Sequence, residues 1–251
     1  MSEVVIEFSR VDKAFGDNVI YRGLDLQVHK GEVLTILGAS GSGKSVMLKM
    51  MLGLIGWDAG RVTVLGDDIT GKRDDQLLPT RRRIGMVFQN AALFDSLTVF
   101  ENLAYPLVER GIEDGTLLAE RVAKALAMIG LSGTEDMLPA DLSGGMRKRV
   151  GLARAIVQSP EILLFDEPTT GLDPINVRRI DELILSLRRE YGLTSIVVTH
   201  DLPSAYLLSD RVAMLANQRI VAIAPLAEFR RSQVSEVRAF LDAMQLESQH
   251  A

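Results

Sequence analysis

Cysteine is absent from the 251 residues, tryptophan occurs once, histidine three times and proline eight times. The lack of cysteine excludes a disulfide scaffold, thiolate metal sites and a thiol nucleophile, and it gives no reason to invoke an oxidising compartment. The cytosol is therefore the expectation. Neither sign of charge dominates: 28 Lys+Arg against 33 Asp+Glu leave a formal charge of -5. Such a field repels a nucleic-acid backbone, so no nucleic-acid partner is expected unless a local basic patch recruits one. No apolar run approaches the roughly 18 to 20 residues that span a bilayer, and the opening MSEVVIEFSR lacks the basic start and apolar stretch of a secretory signal. If the protein works at a membrane, another chain must carry it there. What remains, 47% hydrophobic and 24% charged with 21 glycines, is the composition of a compact globular chain with room for one domain, or one with a subdomain.

The opening alternates as paired strands do, with Val4, Ile6 and Phe8 in one run and Leu24, Leu26 and Val28 in another, which predicts an antiparallel layer. Val33 to Leu37 (VLTIL) ends in GASGSGKS and leads into SVMLKMMLGLI, a strand, glycine loop and helix in that order. Ile162 to Phe165 and Ser195 to Thr199 do not alternate, as expected of strands in a parallel sheet covered on both faces. The segment between them carries Val177, Ile180, Leu183, Ile184 and Leu187 on one helical face and ends at Gly192, completing a βαβ crossover. Thr98 to Gln158 reads as helices alone. From Leu226 onward Phe229, Val234, Val237, Phe240, Leu241 and Met244 form a narrow apolar face, either packed on its own domain or offered to another chain.

Gly38-Ala39-Ser40-Gly41-Ser42-Gly43-Lys44-Ser45 satisfies G-x-x-x-x-G-K-[ST] between a buried strand and a helix. Glycines let backbone N–H groups curl around a phosphate, and the helix N-terminus adds its positive dipole. Lys44 then reaches the β- and γ-phosphates and the Ser45 hydroxyl offers a ligand to Mg²⁺. Alone, this motif means a nucleoside triphosphate binder. The strand Ile162 to Phe165 delivers Asp166 and Glu167 at its C-terminal end, where ligands bind in open α/β sheets. Asp166 is read as the Mg²⁺ holder and Glu167 as the base that polarises the attacking water.

Leu142-Ser143-Gly144-Gly145-Met146 lies upstream of that strand, and with it the chain resembles the ATP-binding cassette (ABC) family, whose signature usually ends in Gln rather than Met. The resemblance implies that Ser143, Gly144 and Gly145 contact the γ-phosphate held by an opposite protomer. Physically the same residues form an N-cap, and a capped helix start also favours an anion. The resemblance further implies that Phe15 (in KAFG) stacks on adenine and that Gln89 (in VFQN) links Mg²⁺ and the attacking water to the helical part. It implies too that Asp173 (in TGLDP) faces its twin across a dimer and that His200 (ending SIVVTH) bonds the γ-phosphate. Taken singly, Phe15 reads as core and His200 as structural.

The family pattern covers roughly residues 4 to 225 and implies an α/β fold: a P-loop NTPase (RecA-like) core with an N-terminal antiparallel β subdomain and an inserted helical subdomain. The expected division is 1–88 and 159–225 for the core with its antiparallel layer, 89–158 for the helical signature subdomain and 226–251 for a tail. A single P-loop and a single signature imply that two copies meet head to tail around ATP. The stretch between Lys44 and Leu142 is too short for the coiled-coil arm of a DNA-repair clamp, and one cassette is too few for a translation factor. The chain resembles instead the ATPase subunit of a transporter whose membrane part is a separate permease.

LSGGMRKR, VRAFLDAM and GASGSGKSVMLKMMLGL are similar to the cassettes of phospholipid-transport systems that work with MCE-domain proteins, the maintenance-of-lipid-asymmetry group. That resemblance implies phospholipid as cargo, a permease at the inner membrane with this chain on its cytoplasmic face, and STAS-domain and MCE-domain proteins as further partners. An ATPase of a binding-protein-dependent amino-acid importer is the alternative, and a soluble repair or regulatory ATPase a more distant one. Ala91, Ala92, Leu93 and Phe94 either line a groove for the permease or seed the helical core. Arg81-Arg82-Arg83 and Arg147-Lys148-Arg149 read as solvated faces or helix-end pairs, with a membrane-surface role as the alternative. Met47, Met50 and Met51 read as core.

Overall fold

The computed structural model describes the backbone of residues 3–250 and the side-chain surroundings of residues 3–244; Met1, Ser2 and Ala251, at the ends of the expected core and tail, lie outside the described residues. Strands β1 (Val4–Phe15) and β2 (Asn18–His29) form an antiparallel hairpin, and β4 (Ala59–Val64) and β5 (Asp67–Asp68) extend it in the order β2-β1-β4-β5. Leu24, Leu26 and Val28 all point inward, as their alternation requires. In β1 the register shifts between Phe8 and Val11, where Arg10 takes a φ of 48°. Gly60 crosses that bulge so closely that a Cβ would lie 2.3 Å from the Arg10 carbonyl oxygen, which is why glycine stands there.

The second sheet contains β3 (Val33–Leu37), β6 (Ile84–Val87), β7 (Ile162–Asp166), β8 (Thr194–Val198), β9 (Arg211–Ala216) and β10 (Arg219–Pro225), ordered β10-β9-β3-β8-β7-β6. All neighbours are parallel except the β9–β10 pair. Ile162 and Leu164 join the core facing the antiparallel layer, while Leu163 and Phe165 join the core on the other face. Burial on both faces is the reason this strand carries an unbroken apolar run.

Helix α1 (Lys44–Met51) follows β3, and Met47, Met50 and Met51 are fully buried against the antiparallel layer. Helices α2 (Asp74–Arg81), α3 (Val99–Val108), α4 (Gly115–Met128) and α5 (Gly144–Ile156) occupy the stretch between β5 and β7, and no described residue from 98 to 158 is in a strand. Thr98 and Glu101 cap α3 reciprocally, and Asp114 caps α4. Helix α6 (Pro174–Tyr191) ends at Gly192 in the left-handed region with φ 63°, the stop its glycine predicts. Helix α7 (Leu202–Leu208) lies between β8 and β9, and the chain ends in α8 (Leu226–Phe229) and α9 (Ser235–His250).

Phe229, Val237 and Leu241 are buried with Leu202, Val212 and Met214, and Val234, Phe240 and Met244 pack around them. The described apolar residues of the tail therefore cover their own domain, the local one of its two readings.

Candidate nucleotide site

The loop between β3 and α1 is shaped by residues without side chains. Gly41 and Gly43 adopt φ of 76° and 106°, and a Cβ on Gly43 would stand 2.7 Å from the Ile20 side chain. Tyr21 Oη donates to the Gly43 carbonyl at 2.6 Å, tying the loop to the antiparallel layer; burial pushes its phenol well above the usual tyrosine range. Lys44 Nζ turns back into the loop and donates to the carbonyls of Gly38 (2.8 Å) and Ala39 (3.0 Å). Its burial lowers the ammonium pKa, opposed by the charges of Glu167 and Asp166.

Ser45 Oγ donates to Asp166 Oδ1 at 2.7 Å, joining the start of α1 to the end of β7. The next residue, Glu167, sits at φ 51° and its N–H donates to the Val198 carbonyl at 2.9 Å, so the backbone turn aims its side chain back over the sheet edge. Glu167 Oε2 accepts from Thr170 Oγ1 at 3.2 Å and lies 2.8 Å from His200 Nδ1, which carries the proton when it donates to the carboxylate. Ser40, Gly41, Gly43, Lys44, Ser45, Gln89, Glu167 and His200 line one cavity of about 350 Å³ with Ile20 and Val46. It opens at the C-terminal ends of β3, β7 and β8, where an open α/β sheet binds its ligand.

The lining fits a nucleoside triphosphate with its divalent cation. Lys44 is held by loop carbonyls alone, which leaves a cation for phosphate oxygens. The donor set for a cation is a hydroxyl, a carboxylate and the Gln89 amide, hard oxygen ligands of the kind Mg²⁺ takes while keeping several waters.

The remaining predicted residues are gathered elsewhere. Phe15 is 47% exposed at the end of β1, with Lys13 Nζ 4.6 Å from its ring centroid, and is not part of the core that a lone phenylalanine would join. Ser143 caps α5 by accepting from the Met146 N–H at 3.3 Å. Asp173 caps α6, and bonds from the Asn176 side chain and the Asn176 and Ile175 backbone hold its carboxyl below the usual carboxylate range. Gly145 packs on Asn176 so tightly that a Cβ would lie 2.6 Å from its amide oxygen. Ser143, Gly144, Gly145 and Asp173 thus form an edge where two helices start, and none of them lines the cavity.

The triplets Arg81-Arg82-Arg83 and Arg147-Lys148-Arg149 take both forms expected of them: Arg82, Arg83 and Arg147 are exposed, and several of the cations bond at helix ends and turns. Arg81 donates to the carbonyls of Leu52 and Gly53, Arg147 to Leu142 and Arg149 to Ile129, while Arg83 pairs with Glu161. These cations satisfy carbonyls left over at chain turns. Lys148 Nζ donates to the carbonyls of Pro168 (2.9 Å) and Thr170 (2.6 Å), joining the signature helix to the loop that follows Glu167, and its burial lowers its pKa. Lys148, Thr170, Tyr21 and Asn176 are the members of the site that motif reading passes over. The segment 91–94 divides: Ala91 is buried and Leu93 packs on the core, whereas Phe94 is 46% exposed, 5.1 Å from Tyr105 and 5.8 Å from the Arg154 guanidinium.

A family model described as "ABC transporter" matches residues 21–170. The chain belongs to the ABC transporter family. It is the ATP-hydrolysing cassette of that family, and ATP with Mg²⁺ is its nucleotide and cofactor.

The "Intermembrane phospholipid transport system ATP-binding protein MlaF" of Haemophilus influenzae is 38% identical over 96% of this chain and 91% of its own. The "Probable ribonucleotide transport ATP-binding protein mkl" of Mycobacterium tuberculosis is 37% identical over 97% of this chain and 68% of its own. The "Methionine import ATP-binding protein MetN" of Rhizobium johnstonii is 40% identical over 88% and 60% respectively. Among solved structures, an ATP-binding cassette in a dimeric post-hydrolysis state, bound to ADP and Pi, matches with a TM-score of 0.81 at 33% identity, covering 88% of this chain and 98% of that one. The α/β architecture with its antiparallel layer and helical insertion is that of the family.

Proposed function

We propose that this ATPase powers phospholipid transport between membranes through a separate permease, working as a head-to-tail pair of identical chains. The observation that carries the cargo assignment is a match that runs almost end to end against a phospholipid-transport ATPase and reaches into the C-terminal tail, at nearly equal lengths of the two chains. The methionine-import relative is at least as similar residue for residue but is covered over only 60% of its length. An amino-acid importer is therefore the second reading.

In this proposal the cavity is half of the working site. Lys44 exchanges its two loop carbonyls for phosphate oxygens, and the loop N–H groups and Ser42 hold the phosphate chain. Ser45, Asp166 and Gln89 hold Mg²⁺, which neutralises phosphate charge when bound. Glu167 orients the attacking water and accepts its proton, His200 offers a hydrogen bond toward the γ-phosphate, and Phe15 provides an open ring face for the base. Ser143, Gly144, Gly145 and Asp173 belong to the partner's nucleotide, which accounts for their absence from the cavity lining. Binding of ATP closes the pair and hydrolysis opens it. The core of 1–88 and 159–225 and the helical 89–158 move as the two lobes of that cycle.

No described helix is long and apolar enough to cross a membrane. The chain is assigned to the cytoplasmic face of the inner membrane through its permease, which docks on exposed Phe94 and Tyr105; MCE-domain and STAS-domain proteins complete the assembly. The test is to tag the chain, solubilise host membranes in mild detergent and identify what copurifies. A polytopic permease with an MCE-domain protein and phospholipid is the expected result. A permease with a soluble solute-binding protein would replace the cargo, and recovery of no membrane protein would return a soluble ATPase.

A further inference from the structure

Asp181 and Ser204 meet where the hydrolytic chemistry has no use for them. Each is 2% exposed; Ser204 Oγ donates to Asp181 Oδ2 at 2.8 Å, and Asp181 Oδ1 is buried without a partner. Among the described residues this is the one fully buried hydrogen bond between two side chains. A buried carboxyl with an unsatisfied oxygen costs stability, and an apolar pair would fill the same space without that cost. The charges that act on Asp181, Asp201 at the start of α7 and Glu182 on α6, are both negative and do not relieve it. Helix α7 adds only Tyr206, which lies against Arg230, and β8 carries no ionisable side chain.

What the pair connects is the surround of Glu167. Helix α6 begins just after the loop whose Thr170 donates to Glu167 Oε2, and α7 begins just after His200, whose Nδ1 lies against the same oxygen. Glu167, Thr170, α6, Asp181, Ser204, α7 and His200 thus close a ring of contacts. We propose that Asp181 and Ser204 are positioning residues for ATP hydrolysis: their buried hydrogen bond fixes α6 against α7 and thereby sets how Thr170 and His200 grip the Glu167 carboxylate. The inference rests on the reading of Glu167 as the residue that activates water. Burial pushes Asp181 up to about 6, so below that pH the bond loses its charge assistance and the grip slackens.

The test is MgATP turnover and ATP binding by the full chain. Ser204→Ala is expected to lower kcat by about 5- to 30-fold with KM for ATP within about twofold, the pattern of a displaced catalytic group rather than a lost ligand contact. Ser204→Thr, which keeps the hydroxyl, is expected to recover most of that loss. Asp181→Asn keeps an acceptor but no charge, so the ratio of wild-type to Asp181→Asn turnover is expected to fall toward one as pH drops from about 7.5 to about 5.5.

If Ser204→Ala melts earlier but turns over at the wild-type kcat per folded chain, and the Asp181→Asn ratio is flat with pH, the proposal is overturned and the pair is packing. Glu167→Gln, assayed beside them, separates the two ideas. A slow Glu167→Gln with a normal Ser204→Ala refutes the inference alone, whereas a Glu167→Gln that turns over normally refutes the assignment beneath it.

Discussion

The cavity beneath the P-loop and the edge carrying Ser143 and Asp173 are both made at helix starts, but their polar groups are employed differently. In the cavity nearly every functional atom already has an internal partner: Lys44 on two carbonyls, Ser45 on Asp166, and Glu167 on Thr170 and His200. At the edge the polar groups only cap their own helices, and Ser143, Gly144 and Asp173 are exposed. A region that holds its own catalytic geometry is a chemical site. One that is shaped yet satisfied only locally is a surface for something brought to it. The pair of helix starts at α5 and α6 is locked by Gly145 on Asn176, and both positive helix ends lie at that edge.

The sharpest way to break this comparison is Glu167→Gln, expected to leave ATP binding intact while cutting hydrolysis by about 10² to 10⁴, the scale of losing a positioned base. A persistent ATP-bound pair on size exclusion should accompany it. Wild-type turnover would move the chemistry out of the cavity. Next in size, Lys44→Ala should weaken ATP binding by about 10²-fold, the loss of a charge-assisted phosphate contact, as read by equilibrium titration. Ser143→Ala sharpens the other side: binding by the separate chain should be unchanged, turnover by the pair should fall about tenfold, and stability should drop by about 1 kcal/mol for the lost cap. Weaker binding at low protein concentration would place Ser143 in its own chain's cavity.

Lys148→Met tests whether the two regions are mechanically joined, since its two bonds run from the signature helix to the loop beyond Glu167. A kcat loss of about three- to tenfold with unchanged ATP affinity is expected. The smallest effect concerns pH and stability. Unfolded aspartate titrates near 3.8, but burial pushes folded Asp181 up to about 6. Between those values the folded chain keeps a proton the unfolded chain has lost, so this group's contribution falls as pH rises through that window. Relative to Asp181→Asn, the wild type should lose a few °C of Tm, roughly, between pH 4.5 and 6.5 in thermal melts.

Much of the fold was legible because its signals are local. An unbroken apolar strand such as Ile162 to Phe165, alternation through Leu24, Leu26 and Val28, and the stop at Gly192 each follow from the backbone's own geometry. The cavity was legible for the same reason: a phosphate loop needs glycines and a lysine at fixed spacing, and a carboxylate pair follows its strand directly. Lys148 and Thr170 were missed because their partners are backbone carbonyls and a carboxylate brought close only by packing of α5 and the post-β7 loop. Which members of the basic triplets meet water and which meet a helix end was not legible for that reason as well. A run of cations states its charge, whereas whether it meets water or a stranded carbonyl depends on which turns lie beneath it.

By itself, then, the sequence determined the α/β class, the phosphate loop and the order of the chemical motifs along the chain, since each depends on short-range spacing and backbone conformation. Only the tertiary structure decided that the tail from Phe229 to Leu241 folds back on β9 and α7, and that Ser143 stands outside the cavity holding Lys44. It alone brought Asp181 against Ser204 across two helices. Those are contacts between residues far apart in the chain, and no local pattern encodes a distance that packing sets.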